Sequence, residues 1–113
     1  MNQNTPLQLL PTLGAEFEGG IFCGLTTKPD GTHHAVVLLP DAPAERLNWA
    51  DATSWAEGLG NGAQLPSRPV SALLFANAKA QFEEAWYWTC ETHVENSSCA
   101  WDQYFGNGLQ LGN

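Results

Sequence analysis

The stretch Trp86-Tyr87-Trp88-Thr89-Cys90-Glu91-Thr92, continued after a few polar residues by Ser98-Cys99-Ala100-Trp101-Asp102-Gln103-Tyr104-Phe105, decides the fold. Aromatic and β-branched residues crowd both halves, and Val94-Glu95-Asn96-Ser97 between them is mainly polar, so the pair reads as an antiparallel hairpin. Side chains alternate across a strand. If Trp86, Trp88 and Cys90 face inward with Cys99, Trp101 and Phe105, then Tyr87, Thr89, Glu91, Asp102 and Tyr104 face outward. An outward face of tyrosines and acids is the expected contact surface, because tyrosine offers large, rigid contact area. An ordinary solvated strand face carrying two amphipathic tyrosines has the same pattern.

Upstream of this hairpin the period changes. Asn48 is placed to cap a helix in which Trp49, Ala52, Ala56 and Leu59 recur at spacings of three and four, with Trp55 beside them and Asp51 in the first turn. Gly58, Gly60 and Gly62 end it. A second helix is expected from about Pro69 through Val70, Leu73, Leu74 and Ala78 to about Phe82. Both helices should lie on a sheet. Before the Pro40 to Pro43 break, Gly20 to Thr27 and His33 to Leu39 read as strands of a first hairpin. Lys28-Pro29-Asp30-Gly31-Thr32 supplies its turn, Pro29 presetting φ and Gly31 tolerating a positive one. Residues 1 to 18 read as an extended lead-in that pairs at a sheet edge. These elements make an α+β class, two helices packed on a twisted antiparallel sheet, in one domain spanning residues 1 to 113.

Twelve acids stand against four bases, a formal charge of −8 on 113 residues. Cations stop at Lys79, while Glu83, Glu84, Glu91, Glu95 and Asp102 follow it. A surface of one sign repels nucleic acid and lipid headgroups and speeds association with a basic partner; acidity also serves solubility alone. No stretch approaches the roughly 18 apolar residues of a membrane span, and Met1 to Pro11 has neither the basic start nor the apolar run of a signal peptide. Three cysteines, Cys23, Cys90 and Cys99, are too few for a disulfide framework and suit a reducing compartment.

No catalytic constellation is evident, and no cofactor is expected. His33 and His34 lie on a strand that sends them to opposite faces, with no nucleophile motif nearby. Cys90, His93 and Cys99 supply only three local donors where a structural zinc site needs four, so core thiols are the expectation; a Cys90 to Cys99 disulfide across the strands would require oxidising surroundings. Glu83 and Glu84 diverge as neighbours at a helix end. Gly60-Asn61-Gly62 and Gly106-Asn107-Gly108 lack the lysine of a phosphate loop.

The string Leu47-Asn48-Trp49-Ala50-Asp51-Ala52, with Trp55-Ala56, Leu65-Pro66-Ser67-Arg68, Ala72-Leu73-Leu74-Phe75, Tyr87-Trp88-Thr89, Cys99-Ala100-Trp101 and Phe105-Gly106-Asn107-Gly108, resembles an uncharacterised domain family of phages and prophages. That family is related to C-type-lectin-like and sulfatase-modifying-factor-like folds. The resemblance covers Leu47 to Gln110 and implies a reduced C-type-lectin-like domain without known catalytic residues. Family members usually carry an acid just after the Leu-Pro-x-Arg step, where this chain has Pro69-Val70, and continue into a basic strand beyond the Phe-x-x-Gly segment, where this chain ends at Asn113.

Acidity, small size and phage-like kinship together lead to a non-enzymatic inhibitor acting in the bacterial host cytoplasm. It would occupy the basic, DNA-binding surface of a host protein complex as DNA-mimicking anti-CRISPR proteins do, a CRISPR effector being one such target. Duplex DNA carries a charge about every 1.7 Å, so a channel lined by Lys and Arg selects dense negative charge. Glu83, Glu84, Tyr87, Glu91, Glu95, Asp102 and Tyr104, supported by Glu45, Asp51 and Glu57, are the expected partner-binding residues. The alternative is a phage tail-associated, lectin-like module that binds a receptor or ligand through aromatics near Trp86 to Trp88.

Overall fold

The computed structural model describes residues 10–93 and 98–112, which form an α+β fold in two compact units divided between Pro40 and Asp41. The turn at Val94 to Ser97 lies outside the described residues, as does Glu95.

The first unit is a three-stranded antiparallel sheet of β1 (Glu16–Phe17), β2 (Gly20–Thr27) and β3 (His33–Leu38), in that spatial order. The lead-in does reach a sheet edge: Glu16 pairs with Ile21 and Phe17 with Gly20. The β2–β3 turn forms by the expected chemistry. Gly31 takes φ 87°, its N–H donates to the Lys28 carbonyl at 2.8 Å, and the Lys28 N–H donates to the Thr32 carbonyl at 2.9 Å. Asp30 Oδ1 accepts from both the backbone N–H and the hydroxyl of Thr32, at 2.9 and 2.6 Å. These bonds hold the Asp30 carboxyl below its ordinary value, with the nearby His34 and Lys28 charges adding to the effect. A bulge between Phe22 and Gly24 lets the consecutive Phe22 and Cys23 both be buried, and Phe17 meets Phe22 edge-on at 5.8 Å. Burial raises the Cys23 thiol.

The second unit carries α1 (Trp49–Glu57), α2 (Arg68–Ala78), a 3₁₀ turn at Lys79–Gln81, and a sheet ordered β4 (Trp86–Thr92), β5 (Ala100–Tyr104), β6 (Gln110–Gly112). The strands are thus shared between two three-stranded sheets, and the two helices pack on the second. Asn48 caps α1 as expected, its side-chain oxygen accepting from the Asp51 N–H at 2.8 Å. The second helix departs from its expected bounds at both ends. Ser67 is its cap, accepting from the Val70 N–H, with Pro69 inside the first turn. At the far end Ala78 closes the α-helix and the chain tightens into 3₁₀ geometry before Phe82.

The facing of the hairpin is the main correction. Pairing runs Trp86 to Tyr104, Tyr87 to Gln103 and Trp88 to Asp102. Trp86 and Trp88 therefore share a face with Asp102 and Tyr104, not with Trp101 and Phe105. Glu91, Trp101, Gln103 and Phe105 reach α2, with Tyr87 packed on Phe105, and the pairing of β4 with β5 is irregular between Trp88 and Thr92. Thr89, expected outside, is fully buried, and Asp102 is only 6% exposed. A one-residue shift in pairing exchanges the faces of a whole strand, and both phases of β4 carry large aromatics, so alternation alone did not decide between them.

Candidate functional site

The α2-facing side of the second sheet is occupied by packing. Phe105, 1% exposed, stacks on Phe82 at 4.1 Å and meets Phe75 and Tyr87 edge-on at 6.1 and 5.0 Å. Such pairs add about 0.5 to 1.5 kcal/mol each beyond the area they bury. The Tyr87 hydroxyl accepts from the Glu83 backbone N–H at 3.0 Å, so this tyrosine braces the turn into β4.

Beside the rings runs a polar seam that sequence reasoning missed. Gln103, fully buried, donates from Nε2 to the Ser71 carbonyl at 2.8 Å and accepts at Oε1 from Gln110 Nε2, also at 2.8 Å. Gln110 Nε2 also donates to the Arg68 carbonyl, and Arg68 Nε donates to Gln110 Oε1 at 2.9 Å. The Arg68 guanidinium lies 3.5 Å from the Trp101 ring centroid, and His93 stacks on the same indole at 5.1 Å. Glu91 Oε2 accepts from the Arg68 backbone N–H at 2.8 Å. A carboxylate there satisfies a free donor of the first helical turn and faces the positive end of the helix dipole, an arrangement worth typically about 1 kcal/mol. Gln103 within the aromatic run Trp101 to Phe105 was the available signal, since an amide among rings must find partners when buried.

The expected partner-binding residues accordingly separate. Glu91 is half-buried as a helix cap, Tyr87 is packed among phenylalanines, and Asp102 sits buried on the opposite face of the sheet. Tyr104 is half-buried against Trp86, ring centroids 5.3 Å apart. Glu45, Asp51, Glu57, Glu83 and Glu84 are exposed, on the segment before α1, on α1 itself and on the turn into β4. Of the three cations of this unit, Arg46 is exposed beside Glu45, Arg68 is engaged in the seam, and Lys79 lies 5.4 Å from the Phe75 ring centroid.

The opposite side of the same sheet carries a depression of about 470 Å³ lined by Arg46, Trp86, Trp88, Asp102 and Leu111. Its position follows from the pairing of Trp88 with Asp102 and of Asp102 with Leu111, which sets the three side by side across the strands. The Trp88 indole N–H donates to the Leu47 carbonyl at 3.0 Å, which ties the segment before α1, and Arg46 with it, to this face.

Cys23 is buried and Cys90 and Cys99 are half-buried, none of them in a disulfide. Burial, with the Glu91 charge beside it, raises the Cys90 thiol. Among the described residues no group of three or more His, Cys, Asp and Glu side chains is placed to hold a metal ion, and no helix is long and apolar enough to cross a membrane.

Comparison with protein-family models, with curated proteins and with solved structures found no match.

Proposed function

We propose that this protein acts by binding, its acidic surface occupying a basic, nucleic-acid-binding groove on a host protein complex, a CRISPR effector being one such target. The observation that supports this reading is the set of exposed carboxylates at Glu45, Asp51, Glu57, Glu83 and Glu84 in a unit where nine acids stand against three bases. Glu91, by contrast, holds the first turn of α2, so the exposed charge of this surface is carried by α1, the segment before it and the turn into β4. Charge of one sign on one unit draws a basic partner and makes the association salt-dependent.

The test is displacement of a labelled DNA duplex from a DNA-binding complex by the full chain, followed from about 50 to about 200 mM salt. Displacement should weaken steeply across that range. The triple variant Glu57→Lys, Glu83→Lys, Glu84→Lys should lose at least about tenfold in affinity, since each reversal turns an attraction into a repulsion. Unchanged displacement by the triple variant would exclude this surface. The second reading, a lectin-like module for a receptor or ligand, draws on the depression at Trp86 and Trp88; salt-insensitive binding to a glycan would select it.

A further inference from the structure

The depression on the Trp86–Trp88 face of the second sheet combines three properties. Two indoles, Trp86 and Trp88, present aromatic surface, and indole is the best aromatic acceptor for a cation. The Asp102 carboxyl belongs to the same lining and is only 6% exposed, where an interaction with a cation is screened less than at the surface. Acids outnumber bases three to one in the unit that holds it. The sheet already demonstrates the matching contact on its other side, where the Arg68 guanidinium lies 3.5 Å from the Trp101 centroid.

We infer that this depression seats an arginine or lysine side chain of the protein partner. The inference rests on the acidic-surface reading and names the contact that would give it specificity: exposed carboxylates steer, and one basic side chain anchors between the indoles and Asp102. Arg46 has the opposite effect. It is the cation in the lining, exposed on the segment before α1, and among the described residues it stacks on neither Trp86 nor Trp88. Its positive charge opposes the entry of another, so removing it strengthens binding. A pocket that used Arg46 to hold a neutral or anionic ligand would weaken on the same change, and the sign separates the two.

The full chain is titrated with N-acetyl-L-arginine amide while indole N–H resonances and tryptophan fluorescence are followed. N-acetyl-L-citrulline amide, its neutral isostere, and a methyl glucoside are run in parallel. The arginine probe should give a saturable response, with citrulline and the glucoside at least about tenfold weaker, because a neutral head gains neither the ring attraction nor the carboxylate. Arg46→Ala should tighten the arginine probe about threefold, what one screened like charge several ångströms away is worth. Asp102→Asn should weaken it about tenfold; should that buried change disturb folding, Trp86→Leu at the half-exposed wall gives the same loss. Equal response to citrulline, a stronger response to the glucoside, or weakening by Arg46→Ala would overturn the anchor. Binding of poly-L-lysine, measured against salt on the same sample, distinguishes the two levels: retained polylysine binding without an arginine response removes the anchor and leaves the acidic-surface reading, whereas loss of both removes both.

Discussion

The two sheets of this protein are both antiparallel and both three-stranded, yet they are specified in different ways. The β2–β3 hairpin is set by its own turn, where Lys28, Asp30, Gly31 and Thr32 bond to one another within five residues. The β4–β5 hairpin takes its facing from residues far along the chain. Glu91 reaches the Arg68 N–H across 23 positions and Gln103 the Ser71 carbonyl across 32. Local chemistry is enough where a tight turn fixes register; where aromatics occupy both faces of a strand, distant partners choose between them.

The sharpest way to break the second sheet is Phe105→Ala. It removes a ring that three others touch and should cost about 3 to 5 kcal/mol, read as a fall in the denaturation midpoint of the second unit's tryptophan signal. Next in size is Gln103→Leu, which deletes two bonds of the buried seam and leaves the Ser71 carbonyl and the Gln110 amide each short of a partner. A loss of about 1 to 3 kcal/mol with an unchanged denaturant slope is expected; a neutral result would mean that the seam does not hold α2 to the sheet. The smallest effect belongs to the first hairpin. Its Asp30 carboxyl is held below the ordinary value, so the stability it contributes is present above the ordinary carboxylate range and is lost as pH falls through the lowered value. Carbon-detected titration of Asp30 should show that lowered midpoint, and Thr32→Val, which removes the hydroxyl donor, should move it back upward.

This contrast also explains what could be read in advance. The Asn48 cap, the run of glycines after α1, the turn at Lys28 to Thr32 and the placement of β2 and β4 are decisions between near neighbours, and each is visible in the chain itself. The outward face proposed for Thr89 and Asp102 was not, because Trp86 and Trp88 are as apolar as Tyr87, Trp101 and Phe105, and nothing within the hairpin says which set meets α2. The candidate site inherits that ambiguity. Exposed Glu45, Asp51, Glu57, Glu83 and Glu84 follow from their position on a helix surface and in turns. The depression required the register of all three strands before Trp88, Asp102 and Leu111 could be seen as neighbours.

Two indole hydrogen bonds in the second unit have a kinetic meaning. Trp49 donates to the Thr89 carbonyl at 2.8 Å across 40 positions, and Trp88 donates to the Leu47 carbonyl at 3.0 Å across 41. Together they close the same long loop from both of its ends, so neither forms until α2 and the residues around it have been gathered in. Closure of that loop costs chain entropy before the contacts that reward it form, so pairings of this span slow the folding of the unit. Protection of the two indole protons from exchange should therefore report the free energy of reopening that loop.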